Sequence, residues 1–305
     1  MKYISTHEIA ERWNVTERTV RNYCMQGKIP GAFRQGKTWN VPDDAEKPTR
    51  SNNQTQKLSP LLARLKEEKA MQLKGGIYHR VQIELTYNSN HIEGSRLTLD
   101  QTRFIFETST ISLKAPNKPG EATETIVPVN DIIETTNHFR AIDYIIDHAC
   151  DPLSESLIKH LHGILKSSTT DSMKSWFAVG DFKLQPNEVG MRATTPPEEV
   201  PSAIQALLKS YNSQSRYTLD DIVSFHVHFE RIHPFQDGNG RVGRLIMFKE
   251  CLKHNIVPFI ITDDLKLFYY RGLSEWDNEK GYLMDTCLTA QDSFKKELDY
   301  FRIQY

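Results

Sequence analysis

The chain has 305 residues, of which 38% are hydrophobic and 25% are charged. This composition is typical of globular protein, and the length allows one large domain and a small one. No apolar run reaches the roughly 18 residues of a membrane helix, and the N-terminus is too polar for a signal peptide, so neither membrane insertion nor secretion is expected. The four cysteines are scattered without a C-x-x-C pair, which favours a reducing, cytoplasmic location.

The net charge of −1 is unevenly distributed along the chain. Residues 1–42 contain seven lysines and arginines against three acidic residues, whereas the remaining 263 residues contain 31 against 36. The first segment is therefore basic and the rest is mildly acidic. Any contact with nucleic acid is expected to come from the basic segment.

Residues 1–45 show the pattern of a small winged helix-turn-helix domain. Ser5 and Glu8 have capping-box spacing at a first helix, and Thr16 can cap a second helix. Two short strands are predicted between residues 33 and 41. Basic and polar residues would be displayed on the second helix and on the strand tip; they are Arg18, Arg21, Asn22, Arg34 and Lys37.

The segment GKIPGAFRQGKTWNVP resembles the winged helix-turn-helix modules of excisionases and MerR-type regulators. The resemblance implies DNA binding, with the second helix in the major groove. The alternative is a protein-docking module with a solvated basic face. Because a single module of this size rarely binds DNA tightly, a homodimer is expected.

Beyond a predicted linker at residues 46–60, which is rich in Asn, Gln, Ser and Pro, the pattern becomes helical. A body of residues 61–305 is predicted to be all-α apart from a small β-hairpin at 178–195. Predicted helices lie near 77–93, 98–107, 129–149, 153–166 and 201–213. Two more are predicted around a loop that follows His233, one before the loop and one after it.

That loop lies within the segment HPFQDGNGRVGR, residues 233–244, which combines the groups needed to handle phosphate. A glycine-flanked turn into a helix N-terminus exposes backbone N–H groups to an anion. Arg241 and Arg244, three residues apart, could clamp phosphates, and Asp237 offers one oxygen ligand for Mg²⁺. His233 could accept a proton from an attacking hydroxyl near neutral pH. The pattern predicts a transferase that uses a magnesium nucleotide.

Other catalytic machines fit the sequence less well. The chain contains neither a G-x-x-x-x-G-K-[ST] P-loop nor the H-R-D and D-F-G pair of a protein kinase. His226, Glu230 and His233 have spacing that would suit a transition metal on one helix face, which keeps a metallohydrolase as an alternative. The H-E-x-x-H zinc signature is missing, however, and His226 is also explained by packing in a helix.

HPFQDGNGRVGR resembles the H-P-F-x-[DE]-G-N-G-R-x-x-R signature of Fic-domain proteins at every defined position. The resemblance implies a helical Fic core, here about 150–260, that transfers AMP from ATP to a Ser, Thr or Tyr hydroxyl of a protein. The implied roles are a general base at His233, a Mg²⁺ ligand at Asp237, an α-phosphate partner at Asn239, phosphate clamps at Arg241 and Arg244, and a backbone anion hole at Gly238 and Gly240.

The same resemblance implies roles for segments outside the signature. The hairpin at 178–195 would be a flap that aligns the target protein by strand addition. The family often has an aromatic residue and arginine where this chain has Phe182 and Lys183. Tyr269 and Tyr270 are candidates for the adenine pocket, with core packing as the alternative.

Upstream, the segment SNHIEG, residues 89–94, resembles the [ST]-x-x-x-E-[GN] inhibitory motif of Fic proteins. Glu93 ends its predicted helix, about 77–93, where the helix dipole disfavours an anion, so a nearby cation would stabilise it. The resemblance implies that Glu93, with Ser89, holds Arg244 away from the γ-phosphate. A solvated glutamate is the plain alternative. In some relatives the same residue orients a water that removes AMP, which leaves a bifunctional enzyme possible.

A DNA-binding transcriptional regulator whose Fic body only senses ATP is the alternative from another functional class. The intact His233 argues against it, because sensing requires no general base.

Overall fold

The computed structural model describes residues 3–25, 29, 31–36, 38–48, 58–111, 126–190 and 192–305. Lys37 and most of the predicted linker lie outside these ranges. The chain divides into two compact units, residues 1–57 and 58–305. Each has its own buried apolar core. No helix in the described ranges is long and apolar enough to cross a bilayer.

In its described residues, the first unit combines two helices with a three-stranded antiparallel sheet. Its elements are β1 (Tyr3–Ser5), α1 (Thr6–Trp13), α2 (Glu17–Met25), β2 (Phe33–Gln35) and β3 (Thr38–Pro42). Strand β3 is central, with Ile4 opposite Val41 and Arg34 opposite Trp39. The sequence analysis did not predict β1, because three residues are too short to show alternation.

Local capping explains where α1 begins and ends. The Ser5 hydroxyl accepts a hydrogen bond from the Glu8 amide at 3.2 Å, and the Glu8 carboxylate accepts one from the Ser5 amide at 2.8 Å. The helix ends at Asn14 in the left-handed conformation, which asparagine tolerates well. Ile9, Trp13 and Val20 are then buried in the core of the unit.

The second unit is mostly helical, as predicted. Its helices are α3 (Pro60–Met71), α4 (Ile77–Ile92), α5 (Leu99–Thr108), α6 (Val129–Asp147), α7 (Glu155–Lys166), α8 (Val200–Asn212), α9 (Leu219–Ile232), α10 (Asn239–His254), α11 (Lys266–Glu275) and α12 (Gly281–Tyr300). The sequence analysis did not assign α11 and α12.

The β-hairpin is shorter than the predicted segment 178–195. Its two strands are β4 (Glu188–Val189) and β5 (Arg192–Ala193), with Glu188 opposite Ala193 and Val189 opposite Arg192. The residues before it form turns without a strand ladder. Pro186 explains this limit in part, since proline has no N–H to donate to a ladder.

Helix α10 is the central helix of the second unit and is buried on nearly every side. Gly238, with φ +85°, acts as its N-cap, and the helix begins at Asn239. Its buried face includes four charged residues: Arg241, Arg244, Lys249 and Glu250. Buried charges are costly unless they are paired, so the partners of the two arginines define the chemistry of the N-terminal half.

Candidate active site

His233 lies at the C-cap of α9 in the left-handed conformation, with φ +50°. Its Nδ1 is 3.3 Å from the carbonyl oxygen of Glu230. Because a carbonyl can only accept a hydrogen bond, this contact assigns the proton to Nδ1 and leaves the lone pair on Nε2. Burial lowers the pKa of His233 below its usual value, which favours the neutral ring at pH 7. The side chain is thus prepared to accept a proton.

Asn239 holds the loop between α9 and α10 in shape. Its side-chain oxygen accepts a hydrogen bond from the Phe235 amide at 2.9 Å, and its Nδ2 donates to the Phe235 carbonyl at 2.8 Å. The residue is only 1% exposed. The α-phosphate contact implied by the family resemblance stays a prediction for this side chain. Both of its ends bind the loop backbone.

The carboxylate of Glu93 lies beside Gly240 at the N-terminus of α10. At the start of a helix the first backbone N–H groups lack partners within the helix, and the dipole is positive. A Cβ built on Gly240 would lie 2.3 Å from Oε1 of Glu93, so glycine is needed there for the carboxylate to approach. The structure therefore brings the predicted inhibitory residue onto the predicted anion hole.

Arg244 is enclosed by the end of α4. Its NH2 is 2.6 Å from Oε1 of Glu93 and donates to the Ser89 carbonyl at 2.9 Å, while its Nε donates to the Ser89 hydroxyl at 3.0 Å. Burial opposes the charge, but the Glu93 carboxylate outweighs it and raises the pKa of Arg244. With 4% of its side chain exposed, Arg244 has little surface left for a nucleotide.

Asp237 belongs to a closed ring of four charged side chains. Its Oδ2 is 2.6 Å from Nζ of Lys166 and 3.3 Å from NH2 of Arg241, and Glu134 pairs with both cations from the other side. Burial raises the pKa of Asp237, but Arg241 and Lys166 outweigh it and hold that pKa at about 2. Asp237 is therefore ionised, and Arg241 is held by two carboxylates.

This ring bears on the expected magnesium ion. Asp237 is ionised and about half exposed, which fits a carboxylate that supplies one oxygen to Mg²⁺. In the described part of the chain, no group of three or more His, Cys, Asp or Glu side chains could hold a metal ion. The arrangement thus fits an ion whose remaining ligands come from phosphates and water.

The two tyrosines proposed for the adenine pocket are placed differently from each other. Tyr269 is 1% exposed and packs in the core with its hydroxyl 2.6 Å from Nε2 of His226, so it has no free face for a base. Tyr270 is 42% exposed, and its hydroxyl donates to the Ile92 carbonyl at 3.3 Å. The burial of Tyr269 agrees with the core packing named as its alternative, whereas Tyr270 is accessible beside the end of α4.

His226, Glu230 and His233 do not form the metal cluster that their spacing allowed. His226 bonds Tyr269, and burial lowers its pKa to about 3. The carboxylate of Glu230 is 3.9 Å from Nδ1 of His233, too far for a hydrogen bond. The spacing instead reflects the packing of α9 against α10, because both His226 and Glu230 lie against Gly243.

Glu230 yields a prediction about stability and pH. Burial, followed by repulsion from Glu93, raises its pKa to about 8, while Arg244 opposes the shift. Between its ordinary pKa of 4.5 and 8 the folded state holds a proton that the unfolded state releases. Stability therefore falls as pH rises through this window.

Glu230→Gln removes the ionisable group and with it the loss of stability at high pH. We expect the variant to match the natural protein near pH 4.5 and to exceed its unfolding free energy by about 2–4 kcal/mol at pH 8.5. Urea unfolding at both pH values measures the difference. A gap that is the same at pH 4.5 and 8.5 would contradict the assignment.

In the first unit, the predicted DNA-contacting residues on α2 are exposed: Arg18, Arg21 and Asn22. Arg21 also lies 2.7 Å from the Glu17 carboxylate on the same helix. Arg34 is exposed on β2, where its Nε donates to the Gly36 carbonyl at 3.1 Å. Lys37 is outside the described residues.

Comparison with known proteins finds similarity to Fic proteins. Residues 152–251 match the model of the Fic/DOC family. A protein adenylyltransferase, fic-1 of Caenorhabditis elegans, is 26% identical over 191 residues, covering 61% of this chain and 35% of that protein. The protein adenylyltransferase Fic of Nematostella vectensis is 26% identical over 196 residues, covering 62% and 42%. The chain thus spans less than half the length of these relatives.

Solved structures show the same fold. A Fic domain containing signaling protein from Bacteroides thetaiotaomicron aligns with a TM-score of 0.60 and 25% identity, covering 80% of this chain and 90% of that one. A Fic family protein from Desulfovibrio desulfuricans aligns with a TM-score of 0.59 and 20% identity, covering 80% and 75%. The helical second unit is therefore similar to Fic proteins in both sequence and architecture.

Proposed function

We propose that the second unit is a protein adenylyltransferase that moves AMP from Mg-ATP to a Ser, Thr or Tyr hydroxyl of a protein. The observation that carries the proposal is the carboxylate of Glu93 against Gly240 and Arg244, because it marks an anion site on the helix that follows the neutral His233. The names of the curated relatives point to the same activity.

The chemistry follows from the side chains present. Nε2 of His233 would take the proton of the target hydroxyl while its oxygen bonds to the α-phosphorus of ATP. The bond from that phosphorus to the bridging oxygen would break, and pyrophosphate would leave. The N-terminus of α10 would bind phosphate oxygens, and Asp237 would hold Mg²⁺. The ion would neutralise phosphate charge. The edge of β4 and β5 would pair with the target segment.

We also propose that Glu93 inhibits this reaction. Three hydrogen bonds from Arg244 go to Glu93 and Ser89, so the arginine cannot bind a γ-phosphate in this state. Displacement of Glu93 would release both Arg244 and the helix N-terminus. Removal of AMP by a water that Glu93 orients is the alternative role, and it is tested by incubating the natural protein with an AMP-modified target.

Two ATP preparations, labelled at the α- or the γ-phosphate, test the proposed reaction. Protein-bound label from α-labelled ATP alone, in a Glu93→Gly variant, is the expected result. Label from γ-labelled ATP would instead indicate phosphoryl transfer and contradict the proposal. Absence of label from both, on the protein itself and in lysates, would favour a unit that only senses ATP.

For the first unit, we propose DNA binding through a winged helix-turn-helix. The exposed Arg18, Arg21 and Asn22 on α2, together with the excess of basic residues in 1–42, support it. Dimerisation, which would place two such helices on one site, is part of the proposal and is measured by sedimentation.

Arg18→Ala with Arg21→Ala is expected to weaken DNA binding at least tenfold and to reduce its salt dependence, because two phosphate contacts are lost. Titration of labelled DNA at several salt concentrations measures both effects. Arg12→Ala, which removes one positive charge from α1, is the control to which each of the single variants Arg18→Ala and Arg21→Ala is matched. Unchanged retention of DNA by the double variant would contradict the assignment.

A further inference from the structure

Lys183 is a buried cation without a carboxylate partner among the described residues. It is 2% exposed, and its Nζ donates to the side-chain oxygens of Asn187 at 2.7 Å and Thr194 at 2.6 Å. Lys166 and Lys249, which are equally buried, each pair with a carboxylate. Burial lowers the pKa of Lys183 to about 8. Burying an ammonium among neutral acceptors costs free energy of folding, which suggests that its contacts serve a function.

These contacts close the base of the hairpin. Asn187 immediately precedes β4, and Thr194 immediately follows β5. The amide and the hydroxyl of Thr194 both donate to the Asn187 carbonyl, at 3.3 Å and 3.0 Å. By bonding both side chains, the ammonium of Lys183 joins the two ends of a hairpin that has only two residues in each strand. Without this tie, so short a ladder would have little stability of its own.

The same residues also bind the loop that follows His233. The backbone N–H of Lys183 donates to the Pro234 carbonyl at 2.8 Å, and Nδ2 of Asn187 donates to the Phe235 carbonyl at 3.1 Å. Pro234 and Phe235 come directly after the proposed base. The base of the hairpin and the catalytic loop are therefore connected through Lys183 and its partner Asn187.

We propose that Lys183 is a positioning residue that fixes the edge of the β4–β5 hairpin relative to His233, so that a docked target hydroxyl meets the base. This inference rests on the proposed transfer reaction. Lys183 is too buried to touch the substrate and acts through Asn187, Thr194 and the loop.

A second effect of Lys183 is electrostatic. The groups that act on His233 are the Glu230 carbonyl, Lys183, Asp237 and Glu93, in addition to burial. Burial and Lys183 lower the pKa of His233, whereas the carbonyl and the two carboxylates raise it. Removal of the ammonium would therefore raise the pKa at which the base becomes protonated.

The test compares Lys183→Met and Lys183→Arg in the Glu93→Gly background, with Lys253→Met at the far end of α10 as the charge-matched control. Self-labelling from α-labelled ATP gives the rate at saturating ATP and the ATP concentration at half rate. Hydrogen exchange of the described backbone amides in residues 188–194 measures directly how readily the hairpin opens.

For Lys183→Met we expect a rate at least tenfold lower, a half-rate ATP concentration within threefold, and hairpin exchange at least tenfold faster. The acid limb of the pH–rate profile is expected to move to higher pH in Lys183→Met. Lys183→Arg is expected to return the acid limb to its original position because arginine keeps the positive charge. Thr194→Val, a milder change, should act in the same direction and add little to Lys183→Met. The control should match the background.

Unchanged hydrogen exchange of the hairpin in Lys183→Met would overturn the inference. Equal losses of rate and ATP affinity, together with lower thermal stability, would also overturn it, because that result would indicate a merely structural role for Lys183. If Glu93→Gly with Lys183 intact transfers no AMP, the proposed reaction fails. The exchange measurement then still decides whether Lys183 ties the hairpin to the loop.

Discussion

Glu93→Gly is expected to raise AMP transfer about 10- to 100-fold. The substitution removes the carboxylate that lies 2.6 Å from Arg244 and against Gly240, so the arginine and the N-terminus of α10 become available to phosphates. A hydrogen bond to a charged group contributes about 1.5–3 kcal/mol, which corresponds to this range of rates. The measurement is the initial rate of protein labelling from α-labelled ATP.

Two further variants separate the charge of Glu93 from its size. Glu93→Gln keeps the volume and removes the charge, so it should be activated less than the glycine variant. Glu84→Gln removes the same charge from α4, where Glu84 pairs with Arg80. It should leave labelling at the natural level. Equal labelling by the natural protein and Glu93→Gly would contradict the proposed inhibition.

His233→Ala is expected to reduce transfer by about 10²- to 10⁴-fold in the Glu93→Gly background. Loss of a positioned general base typically costs this much, and Nε2 of His233 is the proposed acceptor for the hydroxyl proton. ATP affinity, measured by calorimetry, should stay within threefold because the ring is not assigned to a phosphate. Together, these results would separate proton transfer from nucleotide binding.

The backbone of His233 requires a matched substitution. Its φ of +50° is left-handed, and asparagine tolerates this region better than alanine, so His233→Asn tests the ring with less strain. His228→Ala, which removes an exposed histidine from the same helix, is the control for α9. Transfer by both His233 variants within tenfold of the background would exclude a general-base role.

The contact between Glu93 and Arg244 and the β4–β5 hairpin have separate proposed roles, the first in nucleotide binding and the second in target positioning. The proposed role of Glu93 is to control whether phosphates reach Arg244, whereas Lys183 and Asn187 connect the hairpin to the loop after His233. Variants of Glu93 should therefore change nucleotide binding, and variants of Lys183 should change transfer with little effect on ATP. This difference allows the two parts to be measured separately.

Local sequence determined much of the secondary structure and the chemical identity of the site. Capping pairs such as Ser5 with Glu8 and Thr98 with Gln101 define helix starts through neighbouring residues, so they can be read without a fold. The segment 233–244 likewise combines its base, carboxylate and arginines within one loop and helix. The strand β1 was not predicted because it is too short to show alternation and is defined by long-range pairing with β3.

Tertiary structure decided which partners these groups have. Lys166 and Glu134 surround Asp237 and Arg241 from α7 and α6, and no local spacing relates residues so far apart in the chain. The burial of Tyr269, the raised pKa of Glu230 and the burial of Lys183 with only neutral acceptors among the described residues likewise depend on packing between separate elements. Sequence alone identifies groups that can bind phosphate and move a proton, whereas burial and long-range pairing set their charge and accessibility, because both depend on the folded surroundings.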